Sequence, residues 1–156
     1  MEKDPILIFV ERLPFFQEFS GDEKSKLVNT QGIFKKYKAG GVIFSEGDSG
    51  SSLFVVLTGT IKIVRASNKR KGTGIAQLKA GSVFGEVSLI SNRPRGTSAF
   101  AASEVVLMQI SKKVIESFDL SIQKKFQTQL IQVLAQRLDD MNTKYIKLKD
   151  TILLKK

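Results

Sequence analysis

The stretch Leu53–Val64, LFVVLTGTIKIV, consists of two apolar runs broken by a Thr-Gly pair, and it fixes the kind of fold this chain can adopt. Leu53, Val55 and Leu57 alternate to one side of an extended segment. Ile61 and Ile63 do the same on the returning strand. The pattern recurs on both sides. Strand-like segments are expected at Ile33–Lys38, Val42–Ser45, Ser52–Thr58, Thr60–Ala66, Gly74–Lys79, Ser82–Phe84, Thr97–Ala102 and Val105–Ser111. Glycine turns such as Ala39-Gly40-Gly41 and Lys79-Ala80-Gly81 separate them, and Gly72-Thr73-Gly74 reads as a hairpin turn. So many short strands imply an α+β fold built on an antiparallel β jelly roll, a double-stranded β-helix.

Helical spacing appears only at the ends. Residues 2–12 place Ile6, Phe9, Val10 and Leu13 on one face, and Pro14 stops the helix. Ser20 reads as the N-cap of a second helix, with Glu23 as its capping-box partner. After the strands, Lys112–Phe118 suggests a short helix and Ser121–Leu154 a long one, with Ser121 as N-cap. Within it Gln127, Ile131, Leu134, Leu138, Met141, Tyr145, Leu148 and Ile152 step alternately by four and three, the seam of a coiled coil. A seam of this length calls for a second helix, so a homodimer is expected. The chain divides into N-terminal helices (1–32), the jelly roll (33–111) and hinge and dimerisation helices (112–156), in one domain.

Composition removes most catalytic readings. The 156 residues include no histidine and no cysteine, so the commonest general base, the commonest metal ligand and thiolate chemistry are all missing. Thr97 and Ser98 have no visible base to activate them. The expectation is a non-enzymatic protein with no catalytic residue, metal or cofactor. No stretch is apolar enough to span a bilayer and no signal peptide is visible, which points to the cytoplasm. The net charge of +10 suits solubility, an anionic ligand, nucleic acid or a membrane surface. Its clusters, Lys35-Lys36-Tyr37-Lys38 and Lys69-Arg70-Lys71, read as a strand end and a loop tip. They lack the aromatic interleaving of a nucleic-acid surface.

One stretch has chemistry of its own: Phe84–Ala101, FGEVSLISNRPRGTSAFA. Glu86 offers a carboxylate that accepts from sugar hydroxyls. Arg95, nine residues on, offers a guanidinium fork for phosphate. Gly85 lets backbone approach a ligand, the turn that follows presents helix N-terminal N–H groups, and Gly96, Thr97 and Ser98 are small. These residues together describe a cradle for a ribose and a phosphate.

FGEVSL followed by RGTS resembles the phosphate-binding cassette (residues 84–99 here) of cyclic nucleotide-binding domains, found in protein kinase regulatory subunits, nucleotide-gated channels and the bacterial catabolite activator. The strings LPFFQEFS and KAGGVIFSEGDSGSSLFVVLTGTIKIV resemble that family's helical entry and barrel. The resemblance implies that Glu86 holds the ribose 2′-hydroxyl and Arg95 the cyclic phosphate, with backbone N–H groups of Gly85, Val87, Ser88 and Gly96 completing the cradle and Thr97 beside them. Truncating Arg95 should then abolish binding and leave the fold intact. Aligning LAQRL with the catabolite activator places Met141, Asn142 and Thr143 where the helix reaches the purine. The cupins share the jelly roll, but their metal enzymes use several histidines.

The chain departs from the family at Gly96, where cGMP-preferring relatives often carry Thr, so the resemblance leans to cAMP over cGMP. Thr97 replaces the usual Ala. No transcription-factor helix-turn-helix, kinase or pore follows in this sequence, so the expected partners are a cyclic nucleotide, a second copy and an unidentified effector. Binding would signal through movement of the C-terminal helix. Two other readings stay open: a degenerate dimerisation module that binds nothing, and a basic helix that binds nucleic acid or a membrane surface.

Overall fold

The structure, a computed structural model, describes residues 4–67 and 70–154. Among the described residues, eight strands form two four-stranded antiparallel sheets. They are β1 (Phe34–Tyr37), β2 (Val42–Phe44), β3 (Ser52–Thr58), β4 (Ile61–Ser67), β5 (Arg70–Leu78), β6 (Val83–Phe84), β7 (Ser98–Ala101) and β8 (Val105–Ser111). One sheet runs β1-β8-β3-β6 and the other β2-β7-β4-β5, which is the expected jelly roll.

Strand β3 lies at the centre of the architecture because both its faces are buried. Leu53, Val55 and Leu57 point to a layer of helices, with Met108 and Ile110 from β8 beside them. Phe54 and Val56 point between the sheets to Phe44, Ile61, Ile63, Phe84 and Leu107. The alternation of Leu53, Val55 and Leu57 is therefore real, but it marks the sheet's helix-covered face.

Gly59 turns the chain from β3 into β4 at φ +87°, and a Cβ there would lie 2.2 Å from the carbonyl oxygen of Glu104 and 2.6 Å from Val105 Cγ1. Both the left-handed backbone and the lack of space require glycine. Gly59→Ala should destabilise the fold by about 2–4 kcal/mol, the strain of the positive φ plus displacement of backbone. Urea unfolding, with a lowered midpoint and an unchanged slope, would show it; an unchanged midpoint would contradict the assignment.

The β4–β5 hairpin corrects one expectation. Gly72-Thr73-Gly74 is strand and not turn: Thr73 pairs with Arg65 and Gly74 with Val64. Two register shifts interrupt this ladder, and small residues accommodate such irregularities inside a strand. Of the basic cluster read as a loop tip, Arg70 and Lys71 belong to β5, and Lys69 lies outside the described residues.

The helical layer begins with α1 (Pro5–Glu11), whose first turn is capped by the Asp4 carboxylate accepting from Ile6 N at 2.9 Å. Its inward face carries Phe9 and Val10 as expected, with Leu13 buried just beyond it, but Leu7 packs inward where Ile6 was expected and Ile6 is exposed. Residues 2 and 3 of the expected helix lie outside the described residues. A 3-10 turn (Pro14–Phe16) leads to α2 (Gly21–Val28), where the Ser20–Glu23 capping box is complete. Glu23 also pairs with Lys125, and that ammonium, with the hydrogen bonds of the cap, holds its carboxyl below the usual range.

The short helix α3 (Glu86–Ser91) lies within the cassette, and two helices follow the sheets, α4 (Lys112–Ser117) and α5 (Leu120–Leu154). Helix α5 is capped by Asp119, whose Oδ1 accepts from Ile122 N at 3.0 Å, and not by Ser121, which already lies inside the helix. Its first turns are anchored by Ile122, Phe126 and Leu130. Phe126 meets Phe19 at 5.0 Å, Phe15 at 6.1 Å, Phe118 at 6.4 Å and Phe16 at 6.5 Å between ring centroids. The contact with the barrel then thins out. Leu138, Met141, Tyr145, Leu148 and Ile152 are all more than half exposed. No described helix is long and apolar enough to cross a membrane.

Candidate functional site

The floor of the site is aromatic. Phe44, Phe54 and Phe84 come from three strands, and Phe54 stacks on Phe84 at 5.0 Å with 16° between the planes. Over Phe44, 4.3 Å from its centroid, lies the guanidinium of Arg95. Phe54 is 5.7 Å from the same carbon. A weakly hydrated guanidinium suits such a surface, and the contact contributes about 0.5–2 kcal/mol.

Arg95 is fixed at four points. Its backbone N–H donates to the Asp48 carbonyl at 2.8 Å, and its own carbonyl accepts from Gly47 N at 2.7 Å. Its side chain donates from Nη1 to the Gly85 carbonyl at 2.8 Å and from Nη2 to the Ser52 carbonyl at 2.9 Å. The β2–β3 loop is thus the splint that holds this arginine. Burial disfavours its charge and pulls its pKa down, while the carboxylates of Glu86 and Asp48 oppose that pull; the guanidinium stays charged. Gly85 stands at φ +82°, where a Cβ would come within 2.9 Å of Arg95 Nη1 and 3.0 Å of the Ser52 carbonyl. The cassette can close on its arginine because this residue has no side chain.

Gly85 also starts α3, and no side chain caps that end. Glu86, the first residue of α3, is fully buried. Its Oε1 accepts from Nη1 of Arg137, a residue of α5 fifty-one positions away. Arg137 Nη2 donates to the Val83 carbonyl as well, so one guanidinium ties the long helix to both the strand and the helix of the cassette.

Among the described residues, two buried side-chain polar atoms lack a partner: Oε2 of Glu86 and Nε of Arg95. One is an acceptor and the other a donor, and both residues line the same cavity of about 460 Å³. Buried orphan atoms are rare because each costs about 1–3 kcal/mol. Two of complementary kind around one cavity describe a place for a polar guest with a hydroxyl to give and an anionic oxygen to be held.

All seven cassette residues expected to contact a ligand line this cavity: Gly85, Glu86, Val87, Ser88, Arg95, Gly96 and Thr97. Ile63, Ala76 and Leu78 of the β4–β5 hairpin form an apolar wall, with Arg65 near them. The fourth side is α5, which contributes Arg137, Asp140, Met141 and Lys144. Their spacing of three, one and three residues is that of a single helical face. Met141 therefore lines the cavity. Asn142 and Thr143 are not among the lining residues: both are exposed, and the Thr143 hydroxyl donates to the Asp139 carbonyl at 3.0 Å. The 3.6-residue turn puts 140 and 144 on the face that 141 shares, and carries 142 and 143 away from it. Arg137, Asp140 and Lys144 were visible in sequence as helix charges. Their one signal was this i, i+3, i+7 spacing around Met141. Among the described residues no cluster of side chains suits a metal ion.

The chain matches the cyclic nucleotide-binding domain family over residues 34–119, more than half its length. It is 29% identical over 108 residues to a cAMP-dependent protein kinase regulatory subunit of Neurospora crassa, covering 69% of this chain and 27% of that protein. It is 27% identical over 106 residues to a CRP-like cAMP-activated global transcriptional regulator of Mycobacterium tuberculosis, covering 68% and 47%. The chain thus spans less than half the length of these two relatives. Among solved structures, the Thermus thermophilus catabolite activator protein superposes with a TM-score of 0.72 at 25% identity, covering 87% of this chain and 63% of that one. A cyclic nucleotide-binding domain from Methylobacillus flagellatus shares the fold at a TM-score of 0.75 and 24% identity, covering 90% and 80%. The cavity with its buried Glu86 and Arg95, the jelly roll around it and the match over residues 34–119 lead to one conclusion: this chain belongs to the cyclic nucleotide-binding domain family.

Proposed function

We propose that the chain is a non-enzymatic cyclic nucleotide sensor in the cytoplasm, needing no cofactor beyond its ligand, and that it prefers cAMP to cGMP. The observation that carries this reading is the pair of buried, unpartnered atoms, Glu86 Oε2 and Arg95 Nε, on one cavity wall. A cyclic phosphate at Arg95 and the uncapped start of α3 would satisfy the donor, and a ribose hydroxyl at Glu86 the acceptor. The base would then lie between the apolar hairpin wall and α5. Gly96 offers no hydroxyl to a guanine, which supports the preference for cAMP. Relatives whose names include cAMP point the same way.

The route to an effector runs through Arg137. Because Arg137 holds Glu86 and the Val83 carbonyl together, a ribose arriving at Glu86 meets the residue that positions α5. Ligand contacts that differ between two helix positions shift the balance between them. The exposed seam of α5 is where a second copy would pair, giving a homodimer whose helices report occupancy.

The experiment is thermal unfolding of protein stripped of nucleotide, alone and with excess cAMP, cGMP or AMP. A ligand at about 100 times its Kd adds about 2.7 kcal/mol, a clear rise in Tm. The expected order is cAMP above cGMP, with AMP inert because it lacks the cyclic phosphate. No shift with either cyclic nucleotide would refute the sensor reading, and a larger shift with cGMP would refute the preference.

A further inference from the structure

The seam of α5 changes character at Asn142. With Ile131, Leu138, Tyr145 and Ile152 at heptad position a and Leu134, Met141 and Leu148 at d, the flanking e positions are Ala135, Asn142 and Lys149, and the g positions are Arg137, Lys144 and Thr151. In the first part the e positions are uncharged, and Arg137 is engaged with Glu86 and the Val83 carbonyl. Nothing there opposes a second copy. Further along, the flanks carry Lys144 and Lys149. A second copy would set lysine against lysine there, whether g meets e in a parallel pair or like meets like in an antiparallel one.

Beyond Lys144 no residue of α5 lines the cavity, yet Tyr145, Ile146, Leu148, Ile152 and Leu153 are all more than half exposed. Ile146 and Leu153 stand at heptad position b. They widen the apolar arc, from d through a to b, to about 160° at 100° per residue, more than a two-stranded seam covers. The surface also has a shape. Tyr145, Leu148, Lys149 and Ile152, spaced i, i+3, i+4 and i+7, bound a recess of about 190 Å³ with Leu153 beside them. Four residues at that spacing form the hole that receives a side chain from a facing helix. Lys149 is the single charge on its rim. Over residues 144–154 three lysines, 144, 147 and 149, stand against one carboxylate, Asp150. None of the three lysines has an ion-pair partner among the described residues.

We propose that the distal turns of α5, residues 145–154, dock an amphipathic helix of another protein, one whose apolar stripe is flanked by Asp and Glu. The recess asks for a helix, since only a facing helix brings a knob at the matching spacing. The lysines ask for carboxylates, which would turn the repulsion of self-pairing into attraction. An anionic bilayer matches the charge but leaves the recess without a knob. The docking is independent of what fills the cavity, and it leaves residues 131–141 to a second copy.

Titrating the full chain into two fluorescent three-heptad peptides tests it. Both carry Ile at a and Leu at d; one has Glu at e and g, the other Lys. In about 50 mM NaCl the acidic peptide should bind at least about tenfold more tightly than the basic one, and about 500 mM NaCl should shrink that difference. Lys149→Glu lies outside the cavity and should cut the preference to less than about threefold. Ile152→Asp puts a carboxylate into the recess and should weaken the acidic peptide at least about tenfold. Both side chains are exposed, so neither change disturbs the core. Equal binding of the two peptides overturns the proposal, and so does acidic-peptide binding indifferent to both substitutions. Absence of peptide binding overturns it as well. Co-sedimentation with phosphatidylserine vesicles that Ile152→Asp abolishes would then give the face to a membrane surface. A dimer that Lys149→Glu tightens and Ile152→Asp breaks, seen by sedimentation velocity, would give it to a second copy.

Discussion

Arg95→Ala is expected to weaken cyclic nucleotide binding about 10²–10³-fold, the roughly 3–4 kcal/mol that separates a paired buried anion from an unpaired one. Isothermal titration of the variant and the wild type measures it, and retained affinity would remove Arg95 from the assigned role. From sequence alone the same substitution should spare the fold. The structure adds a stability cost to that expectation, because the Arg95 side chain also serves the carbonyls of Gly85 and Ser52. Truncation leaves both without that donor and opens space over Phe44, so a stability loss of about 2 kcal/mol should accompany the loss of binding. Arg95→Lys separates the two effects. It keeps the charge but has no planar fork, so it cannot satisfy two carbonyls and a phosphate at once. It should remain folded and still lose most of the affinity.

Phe126→Ala is expected to cost about 3–5 kcal/mol of stability, as for other fully buried aromatic side chains. Phe126 has no exposed surface and touches four other phenylalanine rings, from both N-terminal segments and the α4–α5 junction. It is the point at which α5 is fastened to the helical layer. Arg137 lies eleven residues further along, about 16 Å at the helical rise, so a loosened Phe126 anchor also loosens the grip on Glu86. Chemical denaturation should show the lower stability, and titration of the folded fraction should show nucleotide affinity reduced about tenfold, since the same helix closes the site. A stable variant with unchanged affinity would mean that α5 is held chiefly elsewhere.

Much of this was legible in the order of residues. Period-two alternation in LFVVLTGTIKIV gives strands whatever surrounds them, and glycines at forced turns end them where expected. The Ser20–Glu23 box formed as read, because a capping box is closed by groups three residues apart. All seven cassette residues face the cavity for a similar reason: Gly85, α3 and Arg95 are neighbours in the chain. Short-range errors had short-range causes. Asp119 and Ser121 are both capping residues, and only the helix's actual start chose between them. The glycines of 72–74 looked like a turn until the ladder of β4 showed two irregularities that they accommodate.

The sequence by itself determined the jelly roll, the cassette and the seam, since each rests on periodicity or on groups close along the chain. The tertiary structure alone decided what closes the site. Arg137 reaches Glu86 across fifty-one residues, the β2–β3 loop holds the backbone of Arg95, and Asp140 and Lys144 line the cavity where Asn142 and Thr143 do not. No local pattern encodes these contacts. Each joins elements far apart in sequence, and the ones made by α5 depend on its anchorage to the helical layer through the packing around Phe126.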